Sequence, residues 1–123
     1  MRSLLYFVTC VLLMGLFVTF STQTAMAVDV VTVAPDVKVL LENDRVRVLE
    51  SKLKPGEVEG MHTHPEYIAY FLTPTTVEIT TPDGKSVVKK PPAGKVLYGS
   101  GAEHRIKNVG DTLQRVLVIE IKN

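Results

Sequence analysis

Residues 55–64 read Pro-Gly-Glu-Val-Glu-Gly-Met-His-Thr-His, and this short stretch carries the strongest signal in the chain. A Pro-Gly turn opens it, and His62 and His64 close it two positions apart. In an extended strand, side chains at positions i and i+2 point to the same face. The stretch therefore predicts a turn followed by a strand that presents two imidazoles on one side, where both can bind the same ion.

The sequence around this stretch alternates between short β-rich runs and turn residues. Such a pattern is typical of an all-β sandwich or barrel. We therefore predict an all-β fold, a single antiparallel β-barrel or jelly roll of eight to ten strands. The predicted strands are 37–41, 45–48, 58–64, 67–73, 75–81, 86–90, 95–98, 103–109 and 113–122, preceded by a loose strand over 28–33.

Two of these runs carry a more detailed prediction. Polar and apolar residues alternate over 45–48, but the alternation fails at Leu49 and Glu50, which predicts a bulge or bend there. The run 116–121 is apolar on both parities, which predicts a strand buried on both faces.

The first 27 residues differ from the rest. A long apolar run follows Arg2, and residues 25–27 read Ala-Met-Ala, the small-x-small pattern of a cleavage site. We predict a signal peptide over 1–27, a domain over 28–123, and a periplasmic or secreted protein with no membrane attachment after cleavage. An uncleaved membrane anchor is the alternative, because the apolar run approaches the length of a span. The only cysteine, Cys10, lies in this segment.

The charge of the chain argues against one class of partner. It has 14 basic and 13 acidic side chains, which balance once Arg2 is removed. Because no basic stripe is present, we do not expect nucleic-acid binding. A small exported domain without disulfides needs a closed barrel, a metal or oligomerisation for support, and a homodimer is one of these open alternatives.

The remaining histidine, His104, completes a pair of motifs. Gly56 is followed by five residues and then by His62-Thr63-His64. Further on, Gly99-Ser-Gly-Ala-Glu-His104 is followed by three residues and Asn108. Together these segments resemble the two motifs of the cupin superfamily, and the resemblance extends from about residue 42 to 122. It implies a β-barrel in which His62, His64 and His104 bind one divalent metal ion.

The chain departs from the family pattern at two places. The metal-binding glutamate of the first motif would fall at Ile68 or Ala69, and neither can bind a metal. Glu66 is a candidate for an extra ligand or general base if the strand turns differently after Pro65. In the second motif, Gly99 stands where the family has proline.

The resemblance therefore implies a site of three neutral ligands with open positions for water or substrate. Fe, Zn, Mn, Ni and Cu all accept imidazole, so the metal identity stays open. The alternative is a metal-free barrel whose inward histidines bond to water. Met61, Tyr70 and Tyr98 are candidates for lining the pocket, with core packing as the other interpretation.

Three functions follow from such a site. The first is a metal-dependent oxygenase or isomerase acting on a small oxygen-bearing molecule. The second is a non-catalytic module that binds or senses a small-molecule ligand. The third is a structural β-barrel in which the metal only supports folding. The fold alone does not choose among them, because one fold hosts many functions.

Overall fold

The computed structural model describes residues 26–123, so the predicted signal peptide over 1–27 lies almost wholly outside the described residues. No helix in the described part of the chain is long and apolar enough to cross a membrane. The all-β prediction is confirmed. The elements are α1 Val30–Val33, β1 Val37–Glu42, β2 Val46–Leu53, β3 Val58–His64, β4 Tyr67–Phe71, β5 Val77–Thr80, β6 Ser86–Lys89, β7 Val96–Gly99, β8 Ala102–Asn108 and β9 Gln114–Ile121.

The strands form two antiparallel sheets that face each other, as in a jelly roll. One sheet has five strands in the order β1-β2-β9-β4-β7, and the other has four in the order β3-β8-β5-β6. The sheets are not joined into one continuously hydrogen-bonded barrel. Their inner faces supply two apolar clusters, one of Leu53, Val77 and Ile106 and the other of Ala69, Phe71 and Val116.

The N-terminal residues form a short helix, so the prediction of a strand over 28–33 is wrong. Asp29 caps this helix by accepting a hydrogen bond from the backbone N–H of Val31 at 3.1 Å. Val30 is 2% exposed, and Val28 accepts a hydrogen bond from the backbone N–H of Thr63. The segment therefore packs across β3 rather than extending either sheet.

The predicted bulge at Leu49 and Glu50 is also wrong. β2 pairs with β9 without interruption from Val46–Ile121 to Leu53–Gln114, and the irregularity lies in β1, between Val39 and Leu41. Leu49, Ser51 and Leu53 are buried. Because the strand is unbroken, Arg47 shares their parity and points inward, where it finds acidic partners.

The bulge that positions the functional site lies in β3. Glu59 pairs with Ile106 and His62 pairs with His104, so two residues, Gly60 and Met61, stand opposite one residue of β8. This extra residue puts Glu59, His62 and His64 on the same inner face, and all three are buried. Gly60 suits the bulge because a Cβ there would lie 3.1 Å from Cβ of Val33.

The outer face of the five-stranded sheet is partly apolar. Tyr70 of β4 and Tyr98 of β7 lie on it and are 38% and 65% exposed. In β9, Val116 and Glu120 are buried, and Leu117, Ile119 and Ile121 on the opposite parity are half-buried. The strand is therefore central in its sheet but is fully covered on one face only. The homodimer named as an alternative from the sequence stays a prediction.

Candidate metal centre

The three histidines of the chain meet in the interior between the sheets. His62 and His64 lie on β3, and His104 lies directly opposite His62 on β8. The ring centroids are 4.7 Å apart for His62 and His64, and 4.8 Å apart for His62 and His104. One ring nitrogen from each residue lies within 4.8 Å of the other two, so the set could hold one metal ion.

The hydrogen bonds of two rings identify the nitrogen that is free to bind. His62 Nδ1 lies 2.7 Å from the backbone oxygen of Gly60, and His64 Nδ1 lies 2.7 Å from a carboxylate oxygen of Glu120. Both partners are acceptors, so each Nδ1 carries the hydrogen in the neutral ring and each Nε2 presents a lone pair. Metal-binding histidines are held in this way by a carbonyl or carboxylate behind the ring.

The two Nε2 atoms face each other at 3.0 Å. Two lone pairs at this distance repel unless a cation or proton lies between them. The donor set therefore fits a cation such as Zn²⁺ or Fe²⁺, which takes neutral imidazole nitrogens as ligands.

Burial keeps the rings of His62 and His104 neutral. It lowers the pKa of His62, although the hydrogen bond to Gly60 acts in the opposite direction. Burial and the neighbouring charges of His62 and His64 lower the pKa of His104 to about 3. At pH 7 both rings are thus in the form that binds metal, without first losing a proton.

Glu120 begins a chain of charged residues behind His64. Its second carboxylate oxygen accepts a hydrogen bond from Arg47 Nε at 2.6 Å, and Arg47 Nη1 lies 2.6 Å from Asp29. Burial raises the pKa of Glu120, but the hydrogen bonds from His64 and Arg47 outweigh it, so the pKa is lowered overall. The sequence did not identify this residue; the available signal was a single acidic side chain within the otherwise apolar run 116–121.

A second carboxyl group, Glu59, lies close to the histidines. Its Oε2 is 3.9 Å from His62 Nε2, and its Oε1 accepts a hydrogen bond from the hydroxyl of Ser51. Burial raises the pKa of this carboxyl. The sequence did not identify Glu59, because an unbulged strand places positions 59 and 62 on opposite faces.

Glu66 lies away from the three-histidine set. Its carboxylate accepts a hydrogen bond from the Tyr98 hydroxyl at 2.8 Å, at the edge of the outer face. Of the two positions where the family motif would place glutamate, Ile68 pairs with Tyr98 on the outer parity, while Ala69 is buried inside. The short side chain of Ala69 leaves interior space where a glutamate would stand.

That space belongs to a cavity of about 110 Å³ between the sheets. His64 and His104 contribute to its wall together with Glu59, Ser51 and Gln114, and the rest is mostly aliphatic and aromatic. The remaining lining residues are Val30, Val37, Leu49, Tyr67, Ala69, Phe71, Val77, Ile79, Leu97, Ile106, Val116 and Val118.

The tyrosine of the wall is Tyr67 rather than the tyrosines predicted from the sequence. Tyr70 and Tyr98 lie on the outer parity of their strands, and Met61 lies in the β3 bulge; none of the three belongs to the described wall. The Tyr67 ring lies 5.2 Å from that of His64. Gly99 allows this placement, because a Cβ there would lie 2.4 Å from the Tyr67 ring.

Several solved structures that are similar to this chain are cupins. The chain is similar to a cupin domain protein from Bordetella pertussis Tohama I, with 32% identity and a TM-score of 0.67 over 72% of this chain and 93% of that one. It is 28% identical to a predicted oxalate decarboxylase from Thermotoga maritima, with a TM-score of 0.54 over 80% of this chain and 100% of that one. An RmlC-like cupin from Methanocaldococcus jannaschii shares the fold at 17% identity and a TM-score of 0.60, over 71% of this chain and 79% of that one. No protein-family model and no curated protein matches the chain.

Proposed function

The chain belongs to the cupin superfamily, and on that premise we propose that it is an exported, metal-dependent enzyme. The proposed activity is that of an oxygenase or isomerase acting on a small oxygen-bearing molecule. Its metal ligands are His62, His64 and His104, which together offer one divalent ion three neutral nitrogens.

The observation that carries this proposal is the pair of Nε2 atoms 3.0 Å apart. Each ring is held by an acceptor at Nδ1, so neither histidine can turn its Nε2 away without breaking a bond to Gly60 or Glu120. An arrangement that forces lone pairs together in the interior is unfavourable in an empty site and favourable around a cation.

A bound divalent ion would supply a Lewis acid that polarises a substrate oxygen. The protein's own groups would do the rest. Glu120 holds the His64 ring in place, and the apolar wall excludes water from the substrate. Glu59 lines the same cavity and is the carboxyl group placed to exchange a proton with a ligand held at the histidines.

The wall of the cavity favours a substrate of low charge. None of the described residues that line it is lysine or arginine, and Arg47 is occupied by Asp29 and Glu120. The Thermotoga neighbour is named a predicted oxalate decarboxylase, but a small dianion would meet no cation in this cavity besides the metal. We therefore favour a compact molecule with an apolar body and a metal-binding oxygen.

We further propose that the mature protein begins at Val28 in the periplasm or outside the cell. The contacts of the N-terminal segment support this start, because among residues 26–123 Val28 is the first whose backbone bonds to a strand. Intact mass measurement of the protein recovered from the periplasmic fraction tests it. A mass that includes residues 1–27 would contradict cleavage.

Elemental analysis of protein purified from its native compartment is the first test of the metal. We expect close to one equivalent of a divalent transition metal. A metal-free protein whose melting temperature ignores added metal would overturn the proposal.

His104→Ala then separates the functions, with Glu103→Ala as the matched control because Glu103 is the exposed neighbour on the same strand. If the protein is an enzyme, His104→Ala keeps the circular-dichroism spectrum of a folded β-sheet protein but loses bound metal and turnover. Glu103→Ala keeps the bound metal and the turnover. Unfolding of His104→Ala alone would indicate a structural metal. A loaded protein that binds ligands but turns over none of a panel of diketones, flavonols, thiols and sugars would indicate a binding module.

A further inference from the structure

The cavity holds a polar group that neither the histidines nor the charged chain behind them uses. Gln114, the first residue of β9, is 5% exposed and lies in the cavity wall. Its Oε1 has no hydrogen-bond partner among residues 26–123. Buried polar atoms in native proteins nearly always have a partner, so an unpartnered carboxamide on a cavity wall indicates a missing hydrogen-bonding group.

The register of the sheet gives the position of Gln114 relative to Ser51. Ser51 pairs with Val116, and Gln114 belongs to the next inward-facing pair, about 7 Å further along the strands. Ser51 also binds Glu59, whose Oε2 lies 3.9 Å from His62 Nε2. His64, His104 and Gln114 line this one cavity, so a ligand that fills it can contact both the histidines and Gln114.

The cavity limits the size of the ligand. Its volume is about 110 Å³, below the roughly 150 Å³ of a dry apolar cavity that binds benzene, so one ring is the largest body that it can hold. Most of the wall consists of side chains such as Val116, Phe71 and Ile106, which contact apolar groups well but offer them no hydrogen bonds.

We propose that this cavity binds a ligand with a single-ring or branched apolar body, a metal-binding oxygen at one end and a hydroxyl group at the other. The carboxamide of Gln114 forms a hydrogen bond with this hydroxyl. A hydroxyl both donates and accepts, so it satisfies the carboxamide in either orientation of its oxygen and nitrogen. The inference rests on the proposed function only for the oxygen that binds the metal. The hydroxyl at the other end is inferred from the buried, unpartnered amide of Gln114.

Two matched probes test it. In 4-hydroxybenzohydroxamate and 4-methylbenzohydroxamate the metal-binding group is the same, and the group at the far end of the ring is a hydroxyl or a methyl. For the zinc-loaded protein, we expect calorimetry to give roughly tenfold tighter binding of the hydroxyl probe, the value of one additional well-formed hydrogen bond. Gln114→Leu should remove this preference while leaving zinc affinity unchanged.

Thr75→Val is the control variant. Thr75 Oγ1 is the other buried side-chain atom without a partner in the described chain, but Thr75 is not part of the cavity wall. This variant should keep the hydroxyl preference. Equal affinity for both probes in the unaltered protein, as expected if a water molecule satisfies Gln114 permanently, would overturn the inference, and so would a preference that survives Gln114→Leu.

The metal and the hydroxyl are tested separately. If hydroxamates bind only with zinc but show no hydroxyl preference, the inference fails and the metal site stands. If the protein takes up no zinc, the proposed function fails, and the inference is decided on metal-free protein by NMR titration with p-cresol and toluene. Tighter binding of p-cresol that disappears in Gln114→Leu would support it, and equal binding would overturn it.

Discussion

His64 and Glu120 lie on different sheets, and a 2.7 Å hydrogen bond between Nδ1 and Oε1 joins them across the interior. Because the same carboxylate binds Arg47, the orientation of one metal-binding ring depends on side chains of β9 and β2. The geometry of the metal centre is thus tied to the packing of one sheet on the other.

Glu120→Gln should weaken metal binding while preserving the fold. The amide keeps the shape of the side chain but loses the charge that fixes the His64 tautomer, and loss of such a partner typically costs 10- to 100-fold in affinity. Competition of zinc between the protein and a chromophoric chelator measures the change. Glu50→Gln is the control, because Glu50 binds Arg115 on the outer parity of β2. Equal zinc affinity in Glu120→Gln and in Glu50→Gln would refute the role given to Glu120.

Zinc should stabilise the folded protein. A ligand that binds only the native state at about 100 times its Kd adds about 2.7 kcal/mol to the free energy of unfolding. For a domain of this size the melting temperature should then rise by roughly 10–20 °C. Differential scanning calorimetry with and without zinc measures the shift, and excess chelator should reverse it. A rise of the same size in His104→Ala would show that zinc binds elsewhere.

Asp29→Asn should lower stability at neutral pH and have a smaller effect in acid. The hydrogen bond from Arg47 is the main reason that the pKa of Asp29 lies below 3.8 in the folded protein. The stabilisation is therefore complete above the unfolded pKa and is lost as the pH falls through the lower folded value. Because Asp29 is 42% exposed, we expect a difference of only about 0.5–1 kcal/mol at pH 7. Asparagine still caps α1, so the variant changes the charge and keeps the cap.

Urea unfolding at pH 7 and pH 3 measures the effect of Asp29→Asn. The gap between the two proteins should be smaller at the lower pH. A gap that stays constant or widens in acid would contradict the ion pair as its source.

Gly99→Ala should destabilise the fold and disturb the metal centre. The new Cβ would lie 2.4 Å from the Tyr67 ring, which must move, and the ring is in contact distance of His64. Overpacking of this kind costs about 1–3 kcal/mol. Urea unfolding gives the stability, and Ser100→Ala is the control in the same loop. Unchanged stability would mean that the strand end moves away from the ring at little cost.

Asn108→Ala should be among the most destabilising substitutions. The side chain is 1% exposed, donates to the backbone oxygens of Leu53 and Thr112 at 2.8 Å each, and accepts from the backbone N–H of Gly110. Removing it leaves buried backbone groups unpaired, so we expect a loss of about 2–4 kcal/mol. Asn123→Ala, at the exposed end of the chain, should change the free energy of unfolding by less than about 0.5 kcal/mol.

The sequence predicted the features that depend on local pattern. The predicted strands 75–81 and 86–90 correspond to the paired strands β5 and β6, and the two-residue spacing of His62 and His64 correctly put both rings on one face. His104 could be placed beside them only through its motif, because the sequence alone does not show which strands pair with each other.

The features that sequence reasoning missed depend on parity and on distant partners. Arg47 alternates with Val46 and Val48, which suggests a solvent-facing arginine. In the structure it points inward and binds Glu120, which lies more than 70 positions later in the sequence. Glu59 was overlooked because its inward position requires the irregular pairing at Gly60 and Met61. Both are properties of the assembled sheets.

The irregularity at Gly60 and Met61 makes the chemistry of this protein depend on how β3 pairs with β8. β3 carries one residue more than the stretch of β8 that it pairs with, and this surplus is what allows a carboxyl group and two imidazoles to share one interior. If the same residues paired with β8 without the bulge, positions 59 and 62 would lie on opposite faces, and either the carboxyl or the imidazoles would face outward. A change of strand pairing, without any change of residue type, is thus enough to convert a site of nitrogen and oxygen groups into one of nitrogen alone.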